Sequence, residues 1–216
     1  MEISFNYSEL LEDYNQKRSE IKKRLKEFKE TFKQSDEIIF QELAFCILTA
    51  NASAQMGINS VDASKDVLLC GSAEAISKRL KGRHRFWRTR ARYIFHTREY
   101  LKDNFNFRLK EKIISFRDRD LLRDFFAVNK DIKGLGYKES SHFLRNIGFT
   151  GYAILDKHIL NTLYEFGVTP SLEKPKNRIH YLKIEEKIRR FSEKIEIDMD
   201  ELDLLLWSRK TGRILK

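Results

Sequence analysis

Apolar residues recur at helical spacing along most of this 216-residue chain. Leu10, Tyr14, Ile21, Leu25, Phe28 and Phe32 fall three, four or seven positions apart with lysines and glutamates between them, the pattern of a helix with one buried face. The run IIFQELAFCIL, residues 38 to 48, is apolar almost all round, which predicts a helix at the centre of a core. Further helical periodicities cover residues 53–69, 72–80, 86–102, 119–128, 154–166, 178–194 and 199–210. Asp198 and Glu201 have capping-box spacing and mark the start of the last of these. The one long connection without helical pattern is GVTPSLEKPKN, residues 167–177, and no segment sustains an alternation of β-branched and polar residues. The pattern predicts an all-α protein of two helical lobes, one spanning residues 36–150 and the other joining 1–35 to 151–216.

Charge adds a partner class to this frame. The chain carries 42 Lys and Arg against 32 Asp and Glu, a net charge of +10, which points to a polyanion. Aromatics reach 12% with sixteen Phe, so the basic character sits on a folded protein and not on a disordered tail. Cys46 and Cys70 are the only cysteines, too few for a four-cysteine cluster or zinc site, and Cys46 lies in the apolar run, where a buried reduced thiol is expected. No apolar stretch reaches the roughly 18 residues a membrane span needs, and none resembles a signal peptide. The expectation is a cytoplasmic monomer without a membrane partner.

Candidate chemistry concentrates in LLRDFFAVNKDIKGLGYKESSHFLRNIG, residues 121–148, which reads as helix, tight turn, helix. Gly134 and Gly136 supply backbone freedom for a hairpin whose N–H groups can face a phosphate. Lys138 then falls in the first turn of the following helix, where the N-terminal partial charge disfavours a cation and favours a free amine. Asp156 follows 18 residues later at the start of the next helix, after a loop containing Gly148 and Gly151. Taken singly, each feature has a plain alternative. A GxG between helices is a common corner, a lysine on an amphipathic helix is commonly a surface residue, and an aspartate at a helix start is commonly an N-cap.

Together these residues resemble the helix-hairpin-helix base-excision DNA glycosylases, the superfamily that includes endonuclease III and the 8-oxoguanine DNA glycosylases. Its Leu-Pro-Gly-Val-Gly-Arg-Lys hairpin corresponds here to IKGLGYK, residues 132–138, and its Val-Asp-Thr-His-Ile to LDKHI, residues 155–159. The resemblance implies that Lys138 is the nucleophile of a bifunctional glycosylase and Asp156 its essential carboxylate. ILTANAS, residues 47–53, looks like the family's Leu-Leu-Ser-Ala-Gln stretch, which implies that Asn51 fills the space left by an extruded nucleotide. TRARYI, residues 89–94, is similar to the Tyr-Arg-Ala-Arg-Tyr-Val of 8-oxoguanine glycosylases, which implies that Arg90 contacts the orphaned cytosine. Thr89 stands where that motif has its aromatic wedge, leaving Phe86, Trp87 or neither for the task. The iron-sulfur segment of endonuclease III is absent. The compact size and the ending LLLWSRKTGRILK are closest to the short, archaeal-type 8-oxoguanine class, in which Trp207 and Lys216 would serve the base pocket.

Elementary chemistry supports these assignments without proving them. A glycosylase must extrude a nucleotide to reach its C1′ carbon and must fill the gap it leaves. An amine attacking C1′ expels the base and forms a Schiff base, from which elimination of the 3′ phosphate nicks the strand. A carboxylate such as Asp156 stabilises the charge that develops on the sugar. Arg88 and Arg90 lie in the basic, aromatic run RHRFWRTRAR, residues 83–92, suited to following phosphates, although a solvated helix face reads the same way. Asn51 can equally be a C-cap, Trp207 a core residue and Lys216 a frayed end. The expected substrate is duplex DNA containing 8-oxoguanine, with no cofactor beyond a monovalent cation held by hairpin carbonyls, a family feature. Another oxidised base as substrate, or a hairpin that merely grips DNA, are the alternatives.

Overall fold

The computed structural model describes residues 7–215, and they contain eleven α-helices and no strand. They form two compact units, one made of the chain up to Phe28 together with residues from Gly148 onward, the other of Lys29–Ile147. The units change over inside helix α1 (Ser8–Thr31), a few residues before the turn at 32–35 where the sequence suggested a boundary. The helical period runs through Phe28 without interruption, so no turn signal marks the change.

In the unit of Lys29–Ile147, helix α2 (Asp36–Thr49) is the core. Every residue from Leu43 to Thr49 is buried, as an all-apolar helix requires. Around it lie α3 (Ala54–Leu68), α5 (Trp87–Phe105), α6 (Leu109–Ile114) and α8 (Tyr137–Asn146), with α4 (Ala73–Leu80) packed on α3 and α5 and α7 (Arg119–Ala127) packed on α8. Side-chain caps set the starts: Ser53 accepts from the Met56 N–H and Ser72 from the Ala75 N–H, both at 3.2 Å, and Asp118 from Asp120 and Leu121, both at 2.8 Å. The short α6 is the one helix that periodicity did not foretell, because six residues span less than two turns.

The other unit is built on α11 (Met199–Thr211), against which α9 (Lys157–Glu165) and α10 (Arg178–Lys194) pack. The N-terminal part of α1 is tied to α11 by Arg209, which pairs with Asp13 and, at 2.8 Å, with Glu9, and by a Tyr14–Glu201 hydrogen bond. Asp198 caps α11 by accepting from Asp200 and Glu201, whereas the Glu201 side chain, expected to close a capping box, turns to Tyr14 instead. Residues 152–156 are not helical, contrary to the periodicity from 154, and α9 begins at Lys157.

Candidate active site

The hairpin is seated on one face of α5. Arg90, Tyr93, Thr97 and Tyr100 recur at three- and four-residue spacing along that face. Thr97 Oγ1 accepts the Lys133 N–H at 2.9 Å, and the Tyr100 hydroxyl accepts from Asn129 at 2.9 Å. At the bend Gly134 has φ +82°, and a Cβ there would sit 2.7 Å from the Tyr93 ring and 3.1 Å from Arg90 Nη1. Both backbone conformation and space therefore demand glycine at 134. Gly136 makes no such demand: its φ of −118° is ordinary extended backbone, and a Cβ would meet nothing closer than Glu139 at 3.5 Å. The sequence expectation that both glycines supply conformational freedom holds at one of them.

Lys138 enters the first turn of α8 immediately beyond this bend, about one-third exposed, with Nζ 2.9 Å from Glu139 Oε1. The second oxygen of Glu139 accepts the Gly136 N–H at 3.3 Å, so one carboxylate joins the amine to the helix start. Its sequence signal was an acid three residues after a glycine N-cap.

Arg90 is buried, 7% exposed, with Nη2 donating to the Ala50 carbonyl at 2.7 Å. Burial lowers its guanidinium from the usual range, while Glu139 and Tyr93 act in the opposite sense. Arg88 by contrast is exposed, its guanidinium 3.8 Å from the centre of the Trp87 ring. Asn51 is exposed immediately past α2 and takes the left-handed conformation, φ +61°, which suits a helix C′ position and is tolerated by asparagine.

Asp156 stands in the other unit as the N-cap of α9, its Oδ1 accepting the Ile159 N–H at 2.8 Å. The non-helical residues before it are lashed by buried side chains. Asp200 accepts the Gly151 N–H at 2.9 Å, Glu185 that of Ala153 at 2.9 Å and Asp203 that of Ile154 at 3.1 Å. The Tyr181 hydroxyl accepts from Leu155 at 3.3 Å and donates to the Ala153 carbonyl at 2.7 Å. Side chains thus supply the partners that the backbone of a buried, non-helical segment lacks. Sequence reasoning missed all four. The signal of the three carboxylates was acids interrupting the apolar faces of α10 and α11; Tyr181 gave none. Trp207 is half-buried on α11, His158 is exposed, and Lys216 lies outside the described residues.

The family model for 8-oxoguanine DNA glycosylase matches residues 21–197. The chain belongs to the 8-oxoguanine DNA glycosylase family. An 8-oxoguanine DNA glycosylase/AP lyase of Methanocaldococcus jannaschii is 42% identical over 205 residues, 93% of this chain and 95% of that relative. One of Fusobacterium nucleatum is 36% identical over 214 residues, 97% of each. Among solved structures, the M. jannaschii glycosylase/lyase in complex with a 15mer DNA containing 8-oxoguanine superposes with a TM-score of 0.86 at 38% identity, covering 96% of this chain and 99% of that one. The glycosylase of Thermotoga maritima gives 0.86 at 32% identity, covering 96% and 97%. The motifs of this family member sit at helix starts: Lys138 in the first turn beyond the hairpin, and Asp156 as an N-cap.

Proposed function

We propose that this protein removes 8-oxoguanine from duplex DNA and cleaves the strand at the resulting site, as a monomer acting on DNA in the cytoplasm. The observation that carries the reading is Lys138 held at the helix start just beyond a hairpin whose bend admits only glycine. In this reading Lys138 Nζ leaves Glu139, gives up its extra proton to water and attacks C1′ with the lone pair so freed. The bond to the base breaks, its electron pair leaving with the base, which takes up a proton. Asp156, whose Oδ1 is engaged by Ile159, turns Oδ2 to the sugar and stabilises the positive charge that develops there. The attached amine then loses a proton and pushes open the C1′–O4′ bond, O4′ taking up a proton, which leaves the protonated Schiff base; loss of its C2′ proton expels the 3′ phosphate.

Asn51 enters the gap left by the extruded nucleotide, Arg88 and the hairpin amides of Gly134 and, once Glu139 releases it, Gly136 meet phosphates, and the N–H groups of Arg90 not committed to Ala50 meet the orphaned cytosine. Trp207 stacks on the extruded base, and Lys216 takes part in recognising it. The hairpin turn also suits a monovalent cation: it offers neutral backbone carbonyls, and its single carboxylate, Asp131, is directed to His96 at 3.3 Å. Such an ion would add positive charge toward a DNA phosphate.

Borohydride trapping tests the reading. A duplex with one 8-oxoguanine opposite cytosine should yield a covalent adduct that requires both the lesion and Lys138. An adduct only with an oxidised pyrimidine would overturn the substrate and keep the mechanism. Tight binding with no adduct on any lesion would overturn the enzymatic reading.

A further inference from the structure

The end of α2 just before Asn51 is tied down carbonyl by carbonyl. A helix leaves its last carbonyls without partners. Here Thr49 Oγ1 donates to the Cys46 carbonyl at 3.1 Å, the Ala52 N–H to that of Thr49 at 3.0 Å and Arg90 to that of Ala50 at 2.7 Å. The Leu48 carbonyl is met by His84 Nε2 at 2.8 Å. His84 is 3% exposed and lies three residues before the start of α5, at a sequence distance of 36 from Leu48.

The ring can fill this role in only one protonation state. The Phe86 N–H donates to Nδ1 at 3.1 Å, so Nδ1 carries no proton, and Nε2–H must be the donor to Leu48. Burial, with Arg90 and Arg85 nearby, favours the neutral ring in which both bonds exist. One imidazole therefore straps the basic, aromatic segment at 84–90 to the last turn of α2. Arg90 adds the second strap and also touches the space above Gly134.

We propose that His84 is a positioning residue for gap filling, holding the end of α2 so that Asn51 projects in its left-handed conformation before DNA arrives. The inference rests on the glycosylase reading above, and it concerns a residue with no part in the chemistry. Pre-ordering matters here because Asn51 must replace a stacked nucleotide, and a side chain on a loose loop would lose freedom at that moment.

The test uses the full chain and single-turnover borohydride trapping on two duplexes, one with 8-oxoguanine and one with an abasic site at the same position. An abasic nucleotide has no base to pull from the stack, so trapping on it depends far less on gap filling. His84→Asn is the informative variant: its shorter amide can still accept the Phe86 N–H two residues on but cannot reach Leu48. The expectation is a loss of about tenfold on the 8-oxoguanine duplex and less than about threefold on the abasic one. Asn51→Ala should show the same split, and His84→Gln, long enough to span both partners, should recover most of the rate. Equal losses on both duplexes, no loss on either, or no split for Asn51→Ala would each overturn the proposal. Should His84→Asn not fold, Asn51→Ala and His84→Gln decide together. Asn51→Ala must still split the two duplexes, and in His84→Gln the amide exchange of residues 50–53 must stay as slow as the 8-oxoguanine rate stays high. Exchange accelerated about tenfold or more beside an unchanged rate would show that the strap does not serve gap filling. A wild-type protein that traps the abasic duplex but not 8-oxoguanine would refute the substrate reading separately, and the His84 comparison would then be run on the lesion it does accept.

Discussion

Glu139 places one carboxylate oxygen 2.9 Å from Lys138 Nζ and the other 3.3 Å from the N–H of Gly136. The nucleophile of the proposed reaction is thereby parked against the helix start that carries it. Both groups are partly exposed, so the ion pair contributes no more than about 1 kcal/mol to folding. Lys138→Gln should leave the denaturant midpoint almost unchanged while abolishing the borohydride adduct. A variant that still formed the adduct would remove Lys138 from the mechanism.

The two hairpin glycines should respond differently to the same substitution. Gly134→Ala places a Cβ at positive φ and 2.7 Å from Tyr93, and the left-handed backbone alone costs about 1–2 kcal/mol. It should destabilise the protein by at least that amount and weaken DNA binding by displacing the bend. Gly136→Ala meets no such obstacle and should cost no more than about 1 kcal/mol, the loss of a glycine N-cap. Urea titrations of the pair check the contrast, and equal losses would refute it.

Tyr181 ties two backbone groups of the segment leading to Asp156, accepting from Leu155 and donating to Ala153. Tyr181→Phe leaves both buried groups short of a partner, at a cost of about 1–3 kcal/mol. Excision should fall more than DNA affinity does, because the segment sets where the carboxylate stands. Unfolding and single-turnover excision, measured on the same preparation, decide this.

Asp156 serves two tasks that a single substitution separates. Asn is as good an N-cap as Asp, and its amide oxygen can still accept the Ile159 N–H. Asp156→Asn should therefore stay within about 1 kcal/mol of native stability and lose about 100-fold or more in excision, the scale seen when one stabilising group for developing charge is removed. A stable variant with near-native excision would leave Asp156 a cap and nothing else.

What the sequence disclosed and what it hid follow from the range of the forces involved. Helical period placed α1, α2 and α10 within a few residues because each buries a continuous face of its own. The places of Lys138 and Asp156 at helix starts were legible because helix starts are set by residues near in sequence. The buried role of Arg90 was not, since its partner is 40 residues away and its neighbours in sequence are those of a basic surface. The same holds for His84 and for the carboxylates behind residues 151–155. Residues 154–156 were misread as helix because Ile154 and Leu155 are apolar and buried, which a short run cannot distinguish from a helix turn.

His84 makes stability depend on pH in a direction the geometry fixes. Burial is the largest effect lowering its proton affinity, Arg90 and Arg85 add to it, and the Leu48 carbonyl works against it. An unfolded chain takes up this proton near the ordinary imidazole value of about 6.5, whereas the folded protein does so only at lower pH. The unfolded state thus binds more protons in that interval, and stability drains away as pH falls from about 6.5 through the folded value. His84→Gln has no proton to gain, so the loss it shows between pH 7.5 and pH 5.5 should be smaller than that of the native protein. The carboxylates Glu37, Glu74, Glu99 and Glu186, whose values are lowered, titrate in both proteins and cancel in the comparison. Urea midpoints at the two pH values give the difference directly, and equal slopes for the two proteins would mean that His84 is not held neutral by the fold.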